Sequence, residues 1–346
     1  MPELKLYTIA QLREWVMQNN AVEGLSDKMV SRTRAYALVN NPYVKDDDPV
    51  VASIFVDGEN AAYVTAFPEI IGEKRYWWFS ALWCNPKYQG CGYGLIVVGS
   101  LAEIYGNENC LDRWGAKETV EIFTHLGLQT QYTLRFVLGT KINQETRKGR
   151  LVYSVRMMQK WFYNRLRKTP KGEYAVKYIP CIDDETYEFI QSHSQNYYFH
   201  HAQDFLNWVL QYPFSIAAPL TERVETTMPF SQSEAYKTHL YAVQVKSEKK
   251  IIGFYVLKER EDALHVLYMY YDEEYKNNVY ASIRDHINRL SVLQCVTENG
   301  ELAKYLRKYI YFAKNKEEKV SFSYDINTPP MQSKLLQFAD GDCFTA

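Results

Sequence analysis

A glycine-rich turn between residues 89 and 94 is the segment of this sequence whose residue types point most directly to chemistry. Gly90, Gly92 and Gly94 alternate there, directly before an apolar stretch that is long enough for a helix. Ordering glycine costs conformational entropy, so three glycines in one turn indicate backbone positions that need positive φ or cannot hold a Cβ near a ligand. Amides at the start of a helix lack acceptors and carry about half a positive charge. The turn therefore predicts a phosphate-binding site.

Two common phosphate-binding motifs fit this spacing poorly. A dinucleotide fingerprint would have its third glycine at Leu95 and would need a parallel strand–helix–strand unit around it. A P-loop would have Gly-Lys followed by Ser or Thr, and no such triplet follows these glycines. The spacing disfavours the first motif and excludes the second.

The turn instead resembles motif A of the GNAT superfamily of acetyltransferases, which reads Gln or Arg, two residues, Gly, one residue, then Gly or Ala. CNPKY at 84–88 resembles the end of that family's fourth strand, and ETVEIFTHLGL at 118–128 resembles its second signature. The resemblance covers Met1 to about Gly139. It implies an acetyl-CoA or other acyl-CoA donor, with its pyrophosphate at the turn and its thioester beside Trp83. The implied cofactor-binding residues are Leu82, Trp83, Cys84, Gln89, Gly90, Cys91, Gly92, Tyr93 and Gly94.

The catalytic residues stay unassigned. The resemblance implies a strand glutamate as base and a tyrosine of the second signature as acid, but RYWWFSALWC at 75–84 has no carboxylate and Phe123 stands at the tyrosine position. An attacking amine needs an amide to hold the oxyanion and a base or a water chain to take its proton. The candidates, each of which is otherwise a loop or surface group, are Ser80, Glu69, Glu73, Asp340 and Asp342.

The function that this resemblance implies is that of an acetyl-CoA-dependent N-acyltransferase. We expect it to move an acyl group to the amine of a small acceptor by direct attack on the thioester, and an amino sugar of surface-polysaccharide synthesis is a candidate acceptor. The alternative is a non-catalytic acyl-CoA-binding or protein-interaction module that retains the GNAT fold. The missing glutamate and tyrosine favour the alternative.

The remaining elements predict an α+β fold with a mixed, mostly antiparallel sheet and flanking helices. A hairpin at Asp57-Gly58, the central strand, the glycine turn and a helix follow one another, and a similar order recurs in the second half. We expect two tandem GNAT-like domains, at residues 1–140 and 178–346, joined by a basic helix and linker at residues 141–177.

The second domain is expected to be a degenerate copy. Its corresponding turn, YDEEYKNNVY, has no glycine and places Asp272, Glu273 and Glu274 where a pyrophosphate would bind. Like charges there would oppose binding. Only the first domain is therefore expected to hold the cofactor, while the second contributes structure or acceptor recognition.

Histidines and cysteines predict neither a metal site nor disulfides. His200 and His201 are adjacent and project to different sides of a helix, without a carboxylate at ligand spacing. The six cysteines lack paired CxxC spacing, which indicates reduced thiols. Cys91 in the turn is expected to contribute its amide rather than a reactive thiol.

Charge and hydropathy limit the partners. The chain has 346 residues and a net charge of -1, so no global field attracts nucleic acid or an anionic membrane, although local patches stay possible. Its first residues lack the apolar core of a signal peptide, and no apolar run is long enough to span a bilayer. We therefore expect a cytoplasmic protein without a membrane partner. The oligomeric state is left open.

The segment from Lys141 to Lys177 is strongly basic and includes RMMQKWFYNRLRK. It predicts a solvated cationic helix that packs Trp161 and Leu166 inward. Nucleic-acid binding through Arg147 to Lys171 is the less favoured interpretation, and its signature would be a steep dependence on salt.

Overall fold

Strands and helices form where the hydrophobic pattern changes its period, and turns form at the glycine and asparagine residues between them. The computed structural model describes residues 1–27, 29–113, 115–139, 146–166, 174–217, 234–235, 237–290, 292–309, 315–325 and 335–341. The candidate Asp342 lies outside these residues. Within them the chain has the predicted α+β architecture, a large sheet with helices packed against it.

The N-terminal half, residues 1–139, begins with a strand that the sequence pattern did not indicate. Its elements are β1 (Pro2–Thr8), α1 (Ile9–Met17), α2 (Arg32–Val39), β2 (Pro49–Val56), β3 (Glu59–Ile71), β4 (Lys74–Cys84), α3 (Tyr93–Tyr105), β5 (Cys110–Arg113), α4 (Lys117–His125) and β6 (Gln129–Gly139). The basic helix α5 (Arg147–Leu166) connects this half to the next.

The C-terminal half, residues 174–341, repeats this order of strands. Its elements are β7 (Ala175–Tyr178), α6 (Asp184–Ser192), α7 (Gln203–Gln211), β8 (Ile216–Ala217), β9 (Glu234–Ala235), β10 (Thr238–Ser247), β11 (Lys250–Arg260), β12 (Ala263–Tyr271), α8 (Lys276–Leu290), β13 (Gln294–Thr297), α9 (Gly300–Tyr309) and β14 (Asn315–Tyr324). β7 pairs with β10, so this half of the sheet begins three residues before the expected boundary at residue 178.

The large sheet has twelve strands in the order β1-β2-β3-β4-β5-β14-β6-β13-β12-β11-β10-β7. Neighbouring strands are antiparallel except for the pairs β4–β5 and β12–β13, which are parallel. The order reads the same from both ends when β4 is matched with β12 and β5 with β13. The recurrence in the sequence therefore corresponds to an approximate twofold arrangement of strands.

The two halves exchange their closing strands. β14 lies next to β5 of the N-terminal half, whereas β6 lies next to β13 of the C-terminal half. β6 and β14 pair with each other from Gln129↔Tyr324 to Leu138↔Asn315. Because every ladder hydrogen bond across this exchange joins the halves, neither half keeps a complete sheet without the other.

Aromatic side chains fill the interior that the halves share. Phe199, in the segment before α7, packs against Trp78 of β4 with ring centroids 5.1 Å apart. Trp208 of α7 lies 5.8 Å from Phe67 of β3 and donates a hydrogen bond to the carbonyl of Ala37. The high aromatic content thus serves a core built from both halves.

The prediction for α5 is wrong at Trp161, whose side chain is 60% exposed. The half-buried side chains described in this helix are those of Tyr153, Arg156 and Met157. The side chain of Leu166 lies outside the described residues. Among the helices that the structure describes, none is both long and apolar enough to cross a bilayer.

Candidate functional site

The glycine turn has the strand–turn–helix geometry that its sequence predicts. Asn85 directly follows β4 and caps a short 3-10 helix, Pro86–Tyr88, because its side chain accepts a hydrogen bond from the Lys87 amide at 3.0 Å. Residues 89–92 then reverse the chain into α3, with Gly92 at the N-cap. The turn therefore lies at the N-terminus of a helix of 13 residues.

Gly90 and Gly92 adopt the left-handed conformation, with φ of +83° and +79°. A Cβ built on either residue would meet no protein atom within 4 Å, and both residues are exposed. The left-handed backbone conformation therefore requires glycine at both positions, and the space beside the two residues is open to a ligand.

Gly94 is glycine for another reason. It is buried, and a Cβ there would lie 2.9 Å from the Cys84 sulfur and 3.1 Å from Cδ1 of Ile122. Its missing side chain lets α3 approach β4 and α4 closely. Gly94 therefore shapes the site from within the protein.

The turn is held by the β2–β3 hairpin. Glu59, just after the predicted hairpin turn, accepts hydrogen bonds from Lys87 Nζ at 2.7 Å and from the Tyr88 hydroxyl at 3.0 Å. Asn85 Nδ2 donates to the same carboxylate, and the Asn85 amide bonds to the carbonyl of Ala61 at 2.9 Å. Sequence analysis missed Glu59, although its place after Asp-Gly was a usable signal.

Two of the amides between residues 90 and 94 are directed at the protein. The Cys91 amide donates to the Tyr88 carbonyl at 3.2 Å. The Gly94 amide bonds to the Cys84 sulfur, and burial raises the pKa of that thiol despite this bond. The amides of Gly90, Gly92 and Tyr93 are therefore the stronger candidates for holding an anion at the N-terminus of α3.

The end of β4 beside the turn departs from regular pairing. Ala81 has a φ of +56°, and the register with β3 shifts between Tyr63 and Thr65, which together mark a β-bulge. Pairing with β3 continues to Cys84, whereas the described parallel pairing with β5 covers Trp77 to Phe79. Residues 80–84 of β4 therefore have a strand edge, on the side of α3, that does not pair with β5.

The three strand residues of the predicted site differ in exposure. Leu82 and Cys84 are half-buried, whereas Trp83 is 9% exposed and stacks on Tyr63 with centroids 5.9 Å apart. Trp83 is therefore held rigidly in the wall of the site. Gln89, by contrast, is exposed at the start of the turn.

Two candidate bases belong to a buried network that joins the halves. His201 contacts Glu69 through Nδ1 and Asp340 through Nε2, the latter at 2.8 Å. Glu69 also accepts a bond from Trp78 Nε1 at 2.7 Å, and all three titratable residues are at most 3% exposed. The expectation of a loop or surface group is therefore wrong for Glu69, which is buried in β3, whereas Asp340 does lie in a turn but is buried.

The protonation of this network follows from its charges. Burial alone lowers the pKa of His201, but the charge of Glu69 and the hydrogen bonds to both carboxylates outweigh it and raise the pKa to about 10. A protonated imidazole between two carboxylates is a structural ion cluster. Neither carboxylate is thus free to act as a general base.

The other catalytic candidates are not brought together either. Ser80 is buried, and its carbonyl accepts a hydrogen bond from Thr65 Oγ1 at 2.9 Å. Glu73 is exposed in the turn before β4, at the opposite end of that strand. Phe123 is 1% exposed and packs on Phe79 with centroids 5.5 Å apart. The position where the family resemblance implies a tyrosine is therefore part of the core.

Among its described residues, the C-terminal half has no turn that corresponds to the glycine turn. Asp272 occupies the place of Asn85, because its side chain caps a short 3-10 helix in the same way, at 3.2 Å. That 3-10 helix ends at Tyr275 and α8 begins at Lys276, with nothing that corresponds to residues 89–92. An anion-binding turn is therefore absent from the described residues of this half.

Strand β12 corresponds to β4 in the second half. Its edge is covered by other parts of the protein. The Ala339 amide bonds to the Leu267 carbonyl at 3.1 Å, and the Met269 amide donates to the Gln337 side chain at 2.7 Å. The Tyr197 hydroxyl donates to the Met269 carbonyl at 2.6 Å. Protein groups thus take the backbone positions that a ligand would pair with in the first half.

A cavity of about 830 Å³ remains beside this edge, between β12, β13 and α9. Lys276 on its wall is paired at 2.9 Å with both Glu273 and Glu301. Two carboxylates around one ammonium group leave no net positive charge for a diphosphate. No group of three metal-ligating side chains with the geometry of a metal site occurs in the part of the chain that the structure describes.

These features define a mixed α+β protein with an open, glycine-rich helix N-terminus beside a bulged central strand. Residues 9–122 match the model of the acetyltransferase (GNAT) family, so this part of the chain is a GNAT-type domain. No curated protein matches the chain.

Solved structures extend the likeness to both halves at the level of the fold. A putative acetyltransferase from Pyrococcus horikoshii superposes with a TM-score of 0.52 at 9% identity, covering 94% of this chain and 90% of that one. A probable N-acyltransferase from Enterococcus faecalis V583 gives a TM-score of 0.51 at 12% identity, covering 96% of this chain and 75% of that one. At these identities the comparison establishes the shared fold alone.

Proposed function

We propose that this protein is an acyl-CoA-dependent N-acyltransferase whose donor binds in the N-terminal half. The observation that carries the proposal is the pair of left-handed glycines, Gly90 and Gly92, which face open space at the N-terminus of α3. Such a backbone binds phosphate groups without needing a cationic side chain. The GNAT-type domain that contains the turn supports acyl transfer as the reaction class.

In this proposal the pyrophosphate of the donor accepts hydrogen bonds from the amides of Gly90, Gly92 and Tyr93. The pantetheine arm follows the edge of β4 from Leu82 to Cys84. The bulge at Ala81 interrupts the ladder with β3, and we place the acyl carbonyl of the donor beside it. Acetyl-CoA would supply the activated acyl group as its thioester.

Direct transfer needs few protein side chains. The amine nitrogen of the acceptor attacks the thioester carbonyl, the C–S bond breaks, and the nitrogen proton leaves through a base or water to the departing thiolate. Glu69 and Asp340 are committed to His201, so we propose a water chain rather than either carboxylate as the proton path. The acceptor is a small amine, and an amino sugar fits this chemistry.

A non-catalytic acyl-CoA-binding module is the second candidate function. The observation in its favour is Phe123, which packs into the core where the resemblance implies a catalytic tyrosine. Both candidate functions use the same acyl-CoA site, but only the enzyme would transfer the acyl group to an acceptor.

Calorimetric titration with acetyl-CoA tests the donor site, and absence of heat at millimolar ligand would refute it. Thiol footprinting gives a second, local readout because two cysteines are exposed among the residues that the structure describes, Cys91 in the turn and Cys181 far from it in sequence. We expect CoA to protect Cys91 from iodoacetamide and to leave Cys181 unprotected. Equal labelling of Cys91 with and without CoA would contradict the placement.

Acceptor-dependent release of free CoA separates the enzyme from the binding module. A panel of amino sugars, amino acids and polyamines, assayed with a thiol reagent, should show release above background with one class of acceptor. CoA binding without release for any acceptor would favour the second candidate.

A further inference from the structure

The basic helix α5 carries an apolar stripe that points away from the protein. Leu151, Val155, Met158 and Phe162 follow one another at spacings of four, three and four residues, so they share one face of the helix. Their exposures are 68%, 40%, 63% and 57%. Four large apolar side chains in one exposed row form an unusual surface for a soluble domain.

The opposite face of α5 is held against the protein. Tyr153, Arg156 and Met157 are half-buried there, and burial raises the pKa of the Tyr153 hydroxyl near Asp262. The apolar row is therefore on the side of the helix that faces away from the protein.

Helix α5 is strongly cationic, although the whole chain has a small negative net charge. Its 20 residues include six basic side chains and no acidic one, whereas the chain as a whole has a net charge of -1. Arg147 lies four residues before Leu151 and Arg165 three residues after Phe162, so two exposed guanidinium groups border the apolar row. An outer face with an apolar centre and cationic borders matches an interfacial helix on an anionic bilayer.

We propose that α5 binds the surface of an anionic lipid membrane, with Leu151, Val155, Met158 and Phe162 inserted below the headgroups. Trp161 is exposed beside this row, and tryptophan is favoured at the membrane–water interface. The expectation of no membrane partner rested on the net charge of the chain and on the lack of an apolar run long enough to span a bilayer, and neither of these detects a local patch at the surface. The proposal concerns α5 alone and does not depend on acyl transfer.

Two other occupants fit the helix less well. Nucleic acid would use the cations but would gain nothing from the aliphatic Leu151, Val155 and Met158. A second copy of the chain would cover the apolar row, but it would also bring the basic side chains of two identical helices together without an acidic partner. An anionic bilayer would attract the basic side chains through its headgroups and would bury the apolar row below them.

Vesicle cosedimentation of the full chain tests the proposal. We expect binding to vesicles with 30 mol% phosphatidylglycerol in phosphatidylcholine, and at least about tenfold weaker binding to phosphatidylcholine alone because the cationic border then has no partner. The double variant Leu151→Gln with Phe162→Gln keeps every charge and should weaken binding at least about tenfold. The matched control, Tyr132→Gln with Leu134→Gln, changes two exposed side chains of β6 and should bind like the wild type.

Insertion depth provides an independent readout. Brominated lipid should quench tryptophan fluorescence of the wild type, and this quenching should disappear in Trp161→Phe. All variants change exposed positions, so their thermal unfolding should match the wild type.

Several results would overturn the proposal. Absence of sedimentation with phosphatidylglycerol vesicles would do so, as would unchanged binding of the Leu151/Phe162 variant. If light scattering showed a dimer of the wild type and a monomer of the same variant, the apolar row would be the contact surface of a second copy. Salt-sensitive binding of a DNA or RNA oligomer that survives this variant, without vesicle binding, would assign the helix to nucleic acid.

Discussion

Replacing Gly92 with aspartate tests the proposed diphosphate site most directly. Gly92 has a φ of +79°, and aspartate and asparagine tolerate that conformation better than other residues with a Cβ, at a cost of about 1 kcal/mol. The new side chain would stand in open space, so the fold should persist. Its carboxylate would lie ~6 Å from a bound diphosphate, where repulsion at an effective dielectric of about 20 amounts to about 2–3 kcal/mol per charge.

Solvent and salt reduce that repulsion at an exposed turn, so we expect a loss of about 2 kcal/mol, or roughly a 30-fold rise in the Kd for acetyl-CoA. Gly92→Asn has the same shape without the charge and should cost less affinity than Gly92→Asp. The difference between the two variants should shrink as salt is raised, because only the aspartate acts through charge.

Gly72→Asp is the matched control. Gly72 is exposed, has a φ of +66°, and has no atom within 4 Å of a Cβ position. It lies before β4, whose 11 residues separate it from the glycine turn by roughly 35 Å. We expect similar destabilisation in Gly72→Asp and Gly92→Asp by urea unfolding, with a changed Kd only in the latter. A Kd for Gly92→Asp within twofold of the wild type would refute a diphosphate at this turn.

Three further predictions concern the junction of the halves. His201→Gln leaves Glu69 and Asp340 without their cation in a buried site and should lower the free energy of unfolding by about 3–5 kcal/mol, measured in urea; a loss below about 1 kcal/mol would contradict a charged cluster. The pKa of His201 is about 10 when folded, against an ordinary value near 6.5, so its contribution is complete below pH 6.5 and is lost as the pH rises towards 10. The stability difference between wild type and His201→Gln should therefore shrink over that window, and a constant difference would argue for a neutral imidazole. A fragment of residues 1–140 lacks β14 and should neither fold cooperatively nor bind CoA, while the full chain should unfold in one calorimetric transition; two separate transitions would show independent halves.

Local features of this protein could be predicted from the sequence because they depend on neighbouring residues. The glycine turn, the Asp57-Gly58 hairpin and the helix after the turn all follow from backbone requirements over a few positions. Within the glycine turn, however, different positions require glycine for different physical reasons. Gly92 is needed for its φ, whereas Gly94 is needed for the contact of α3 with Cys84, and a sequence pattern does not separate these two requirements.

Long-range features could not be predicted because nothing local determines them. His201 is 132 residues from Glu69 and 139 residues from Asp340, so its buried charges appear only when the halves come together. The outward direction of Trp161 likewise depends on which face of α5 meets the protein. A hydrophobic pattern gives the period of a helix but not its rotation when apolar residues lie on more than one face.

The strand exchange makes the C-terminal half necessary to the fold, although the described residues of this half have no glycine turn. β6 completes the C-terminal half and β14 completes the N-terminal half, so the sheet that supports β4 depends on strands from both halves. The C-terminal half fills the edge of β12 with its own segment 335–340. The C-terminal half supplies the first half with the exchanged strand β14 and with the contact of His201 to Glu69. We accordingly expect substitutions in the 830 Å³ cavity to leave donor binding unchanged, whereas substitutions in β14 should weaken it.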